Sequence, residues 1–154
     1  MAAWISADLS LHGVRLHYYR TGGSKPAVVL AHGFSDNGLC WTPVAQALEA
    51  QYDVVMYDAR GHGLSDLPEA GADGDVAPAD LAGLVQSLGL DKPALMGHSM
   101  GAGTVAGAAA ATPTWRAVWC SKTPAGAPKA SFPRRRSERP GPSACARTCC
   151  GSRR

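Results

Sequence analysis

The stretch that most constrains this chain runs from Pro93 to Ala111. A short apolar segment, Pro93 to Met96, enters Gly97-His98-Ser99-Met100-Gly101 directly, and an alanine-rich segment, Ala102 to Ala111, follows at once. The pattern predicts a strand, a sharp turn and a helix. A serine hydroxyl is a weak nucleophile until something orients and activates it. A strand-to-helix turn does part of that work: it projects the side chain from the sheet edge, and the helix N-terminus aims N–H groups at developing negative charge. Gly97 and Gly101 fall where a side chain would collide with the neighbouring strand or helix. Gly-x-Ser-x-Gly alone recurs by chance, but here its flanking segments make it specific.

Upstream, Trp4 to Asp8 and Val14 to Arg20 are two β-rich runs around His12-Gly13, which predicts a hairpin. Arg15, His17 and Tyr19 alternate with Val14, Leu16 and Tyr18, the period of a half-exposed strand. Ala27 to Ala31 is a continuous apolar run, as expected of a central strand buried on both faces. It opens into the polar loop His32-Gly33-Phe34-Ser35-Asp36-Asn37-Gly38. Trp41 to Gln51 has helical spacing. Val54 to Tyr57 is a second buried strand, closed by Asp58-Ala59-Arg60-Gly61-His62-Gly63-Leu64-Ser65-Asp66. Pro68 to Asp75 reads as a loop. Pro78 to Leu88 carries Leu81, Leu84, Val85 and Leu88 on one stripe, with proline in a first helical turn and Gly89 at the end. Strand–helix alternation from Ala27 to Ala111 predicts an α/β fold with a doubly wound, mostly parallel sheet.

The chain of 154 residues is one domain's worth, and no stretch approaches the roughly 20 apolar residues of a membrane span. No signal segment is legible, so a cytoplasmic location is expected. The net charge of +3 hides a division. Residues 1–111 hold five Lys+Arg against eleven Asp+Glu, and residues 112–154 hold ten against one, Glu138. Cys40 stands alone in the first part, while Cys120, Cys145, Cys149 and Cys150 lie in the second. Thr114 to Cys120 has strand character. Ser121 to Arg154 has no periodicity and is rich in Pro, Arg, Ser and Gly, so residues 112–154 are expected to be a disordered basic tail.

Three motifs in one order, His32-Gly33-Phe34, Asp58-Ala59-Arg60-Gly61-His62-Gly63-Leu64-Ser65 and Gly97-His98-Ser99-Met100-Gly101, sit at the ends of three predicted strands. Together they resemble the α/β-hydrolase fold family, in its esterase, lipase and haloperoxidase-like branch, over residues 12–111. Ligands of open parallel sheets bind at those carboxyl ends. The resemblance implies that Ser99 is the nucleophile and that the backbone N–H groups of Phe34 and Met100 form the oxyanion hole. It also implies acyl transfer from a small ester-like substrate (carboxylic ester, lactone or thioester) to water, without a cofactor or metal. A serine in place of aspartate points away from the haloalkane dehalogenase and epoxide hydrolase branches. His98 is expected to point away from Ser99 and pack, and His32, Gly33 and His62 to organise loops. Asp58 and Arg60 are expected to tie their loop to the sheet, and Asp66 to lie at the surface or cap.

The family's triad runs Ser, then Asp or Glu, then His. All five histidines, His12, His17, His32, His62 and His98, precede Ser99, and the only carboxylate after it is Glu138. The triad cannot be completed from this sequence in that order. Back-translating Thr112 to Thr123 with G/C-ending codons and reading one base out of register gives Pro-Asp-Leu-Ala-Arg-Arg-Val-Val-Leu-Glu-Asp-Pro. That series resembles what the family carries after this helix, which suggests a frameshifted tail. The expectations are a truncated, unstable and weakly active or inactive copy, with an unpaired edge beside the strand that leads to Ser99. Gly101-Ala102-Gly103-Thr104-Val105-Ala106 has dinucleotide-loop spacing but no later acid, so it reads as helix packing. The tail has no aromatic interleaving and its cysteines lack zinc-site spacing, so no nucleic acid is expected as a partner. The alternative class is a non-enzymatic binding protein that uses the residual pocket and the basic tail.

Overall fold

A computed structural model describes residues 4–11, 13–67, 76–112 and 114–120. Its strands are β1 (Ile5–Leu11), β2 (Val14–Arg20), β3 (Ala27–Ala31), β4 (Asp53–Tyr57), β5 (Ala94–His98) and β6 (Arg116–Cys120). Its helices are α1 (Thr42–Leu48), α2 (Ala77–Ser87) and α3 (Met100–Ala111), with a 3₁₀ turn at Gly38–Trp41 leading into α1. The described strands form one sheet in the order β1-β2-β4-β3-β5-β6. The β4-β3-β5-β6 portion is parallel, while β1–β2 and β2–β4 are antiparallel.

Successive residues of the central strands feed opposite cores, as a period of two requires. Val29, Val55 and Leu95 pack with Leu81, Leu84 and Val85 of α2 and Val105 and Ala108 of α3. Val28, Val54 and Met56 face the other way, onto Trp41 and Ala45. Each such side chain, fully removed from water, contributes about 1.5–3 kcal/mol. The apolar runs at β3 and β4 are continuous because both faces are covered, which is why they lack alternation. The crossovers therefore place the carboxyl ends of β3, β4 and β5 side by side.

Several expectations change. The β5 edge is not open: β6 pairs with it in parallel from Ala94↔Arg116 to His98↔Cys120. The segment after Trp41 is shorter than its spacing suggested, ending as α1 at Leu48, and the four residues before it, Gly38–Trp41, form a 3₁₀ turn capped by the Asn37 side chain. His17, expected on the exposed side of β2, is buried. Asp8 lies across from it and Ser65 closes over its backbone, contacts that strand periodicity alone does not encode. Arg116–Cys120, within the 112–154 tail expected to be disordered, forms β6 on the edge of β5, while His12, Pro68 to Asp75 and the remainder of that tail from Ser121 onward lie outside the described residues.

Candidate active site

Ser99 sits between the end of β5 and the first residue of α3, with φ 54° and ψ −115°. A non-glycine residue pays on the order of 1–3 kcal/mol for backbone of this kind, and holds it only where its surroundings over-determine it. Those surroundings are two close approaches. A Cβ on Gly97 would overlap the Gly101 carbonyl, and a Cβ on Gly101 would overlap the backbone of Ala31 and His32. The elbow is thus pressed against the end of β3. The Ser99 side chain is exposed, makes no capping hydrogen bond and has no hydrogen-bond partner among the described residues.

The same close approach brings the loop after β3 beside the start of α3. Asp36 N–H donates to the Gly33 carbonyl, so Gly33 to Asp36 is a tight turn with Phe34 at its second position and the Phe34 ring 75% exposed. The His98 imidazole lies against Gly33, closing the space where a Cβ would stand. It therefore packs on the loop.

The two loop histidines are committed to backbone. His32 Nδ1 faces the Gly33 carbonyl at 2.7 Å, and His32 Nε2 accepts the Ala59 N–H at 2.9 Å. A carbonyl can only accept, so the partners assign the proton to Nδ1 and leave Nε2 fully used. Burial pushes the His32 pKa below its ordinary 6.5, with the neighbouring His62 opposing protonation further. His32 joins the β3 loop to the β4 loop and has no lone pair left for a base. His62 Nε2 lies 2.8 Å from the Phe34 carbonyl and its Nδ1 3.1 Å from the Arg60 carbonyl. Its ring meets those of His32 and Phe34 edge-on. Both histidines act as clasps between loops.

Asp58 is buried and accepts from the Gly38 and Leu64 N–H groups, one on each carboxylate oxygen, while its backbone carbonyl takes the Ser65 hydroxyl. It fixes both loops to the end of β4. Arg60 behaves differently from expectation: it reaches α2, pairing its Nε and Nη2 with the two Asp80 oxygens at 2.7 Å each. Asp80 is a functional partner with only a faint trace in the sequence. Its signal is a lone acid in the first turn of a helix otherwise striped with leucine. Asp66 lies at the surface, where it pairs with the Arg15 guanidinium and N–H. A cavity of about 490 Å³ between Arg20, Lys25, Asp53 and Asp91 opens at the amino ends of β3 and β4, away from Ser99.

A model of the alpha/beta hydrolase fold family matches residues 26–134. The chain belongs to that family. The match begins just before β3, takes in all three motifs and runs past α3 into β6 and beyond. Over 96 residues the chain is 38% identical to N-formylmaleamate deformylase of Pseudomonas putida, covering 62% of this chain and 36% of that enzyme. It is equally identical, over a stretch of the same length, to a soluble epoxide hydrolase of Corynebacterium sp., covering 33% of that enzyme. Among solved structures, E-2-(acetamidomethylene)succinate hydrolase superposes with a TM-score of 0.67 at 32% identity, covering 74% of this chain and 42% of that one. The chain thus spans about a third of the length of these curated relatives.

Proposed function

We propose that Ser99 is the nucleophile of a serine hydrolase that forms an acyl-enzyme from small ester-like substrates: carboxylic esters, lactones or thioesters. The observation that carries this reading is the strained, exposed, unpartnered Ser99 at the first turn of α3, a conformation that ordinary strand-to-helix turns do not need. The hydrolases among its relatives support the reaction class. The serine favours acyl transfer over the opening of an epoxide by a carboxylate. Phe34 and Met100 are the proposed oxyanion donors through their backbone N–H groups, with Gly33, His32, His62 and Asp58 holding the Phe34 loop in place.

Among the described residues, no imidazole is free to serve Ser99 as a base. His32 is saturated, His62 is engaged with carbonyls, and no histidine follows position 98. Acylation of this chain is therefore expected to be slow and deacylation slower, so that labelling rather than turnover is the readout. Treatment of the full chain with a fluorophosphonate, followed by peptide mapping, should place the label on Ser99. A folded chain whose Ser99 peptide stays unmodified would overturn the assignment. Phe34→Pro sharpens the test. Proline suits the second position of such a turn, so the fold should survive, yet the N–H is gone. Loss of an oxyanion donor removes about 2.7–4 kcal/mol of transition-state stabilisation, so Ser99 labelling should slow by about 100-fold or more.

A further inference from the structure

The β1–β2 hairpin, remote from the elbow in sequence, holds a second serine with its own base. Ser6 Oγ lies 3.0 Å from His17 Nε2, and His17 Nδ1 lies 2.6 Å from Asp8 Oδ1. Asp8 can only accept when ionised, so it assigns the imidazole proton to Nδ1 and leaves Nε2 as an acceptor for the Ser6 hydroxyl proton. The chain of hydrogen bonds is hydroxyl to imidazole to carboxylate, in the sense that activates a serine.

The register explains why these three meet. Asp8 stands directly opposite His17, and Ser6 opposite Tyr19. The His17 N–H donates to Ser65 Oγ and its carbonyl accepts from Asp58 N–H, so both backbone groups turn away from β1. Asp8 and His17 are therefore a non-hydrogen-bonded antiparallel pair, the kind whose side chains approach closest. Ser6, two residues along, lies on the same face and on the diagonal. By the same parity its backbone N–H points away from β2, toward the outer edge of the sheet, where β1 is the terminal strand among those described.

Three further contacts pre-set the geometry. The imidazole is buried and packs edge-on against the Tyr19 ring, with centroids 4.8 Å apart. Arg15 approaches the same Asp8 oxygen at 3.2 Å and is itself anchored on Asp66. The His17 hydrogen bond, aided by the Arg15 charge, holds the Asp8 carboxyl below its ordinary range, so the carboxylate needed to stabilise an imidazolium is kept ionised. Ser6 is exposed to solvent, while its base is not.

We propose that Ser6, His17 and Asp8 form a second nucleophilic centre that takes acyl groups from activated donors such as aryl esters and thioesters. Ser6 Oγ attacks the acyl carbon, and its proton passes to His17 Nε2. The bond from acyl carbon to aryloxide or thiolate breaks, and the leaving group departs with its electron pair and recovers that proton from the imidazolium. Among the described residues, the hairpin offers the tetrahedral intermediate one outward backbone N–H and no helix N-terminus. The product is therefore a stable O-acyl-Ser6 formed once per chain.

The test is p-nitrophenyl acetate applied to the full chain carrying Ser99→Ala, with nitrophenolate release followed by absorbance and the acetyl group located by peptide mass spectrometry. The expected result is one acetyl group on the Ser6 peptide, absent in Ser6→Ala. General-base loss should slow the reaction by about 100-fold or more in His17→Gln. Because His17 is buried and its replacement could loosen the hairpin, Asp8→Asn at an exposed position is the second variant. It should slow Ser6 acetylation at least about tenfold with the circular dichroism spectrum unchanged. An unmodified Ser6 in the folded protein, or acetylation at the same rate in Asp8→Asn, would overturn the proposal.

Discussion

Ser99 stands at the carboxyl end of a buried parallel strand, at φ 54°, against the first turn of a helix, whereas Ser6 stands in the extended backbone of an edge strand. Each has what the other lacks. Ser99 has a strained backbone and the first turn of a helix beside it, and its nearby histidines are spent on holding loops together. Ser6 has a buried imidazole and an ionised carboxylate in line, with a single outward N–H to meet developing charge. The difference teaches where each part of such chemistry comes from. A strand-to-helix crossover supplies electrostatics as a by-product of its geometry. A cross-strand pair supplies proton transfer as a by-product of register.

The largest effect expected is from Gly101→Ala, which places a methyl group into the Ala31 and His32 backbone. Main chain cannot rotate out of the way as a side chain can, so the elbow must move off β3 at a cost of about 3 kcal/mol, read as a lower urea midpoint. The comparison predicts a split. Fluorophosphonate labelling of Ser99 should collapse in the residual folded protein, while acetylation of Ser6, on the far side of β2 and β4, should persist. Parallel loss at both serines without global unfolding would show that the two sites are not independent.

A smaller effect, with opposite signs at the two sites, is expected from glycine. Ser99→Gly relieves a backbone conformation that a side chain disfavours and should raise stability by about 1 kcal/mol while abolishing the label. Ser6→Gly removes a hydrogen bond and loosens an extended strand, so it should lower stability by about 1 kcal/mol. Chemical denaturation of the two variants side by side reads this directly. A stabilising Ser6→Gly would mean that β1 carries strain of its own, and a neutral or destabilising Ser99→Gly would mean that the elbow carries none.

Much of the elbow was legible because its determinants are local. Gly97, Ser99 and Gly101 lie within five residues, and the strand and helix that flank them announce themselves by composition. The β3 and β4 loops were legible as polar segments after apolar runs. Arg60 was assigned to the sheet because its partner, Asp80, lies 20 residues away across a segment with no periodic signal. The hairpin triad was illegible for a sharper reason. Ser6, Asp8 and His17 meet only in one register, and a slip of a single residue would send Asp8 to the other face. The burial of His17 has the same origin, since Ser65 reaches it only once β2 has paired with β4.

The last and smallest contrast is in acid. At the elbow side, burial holds the His32 pKa below its ordinary 6.5, so the unfolded chain binds a proton there more readily than the native one. Native stability from this source is complete above about pH 6.5 and is lost as pH falls toward the lower folded value. At the hairpin, the His17 hydrogen bond holds Asp8 below its ordinary 3.8, so that contribution is intact above pH 3.8 and disappears only as pH falls through the folded value below it. The two regions should therefore weaken in separate windows. A urea midpoint measured against pH should decline first below about 6.5, and His32→Gln, which keeps an acceptor without a titrating ring, should flatten that first decline and leave the acid one in place. An unaltered upper decline in His32→Gln would mean that the titrating group lies elsewhere.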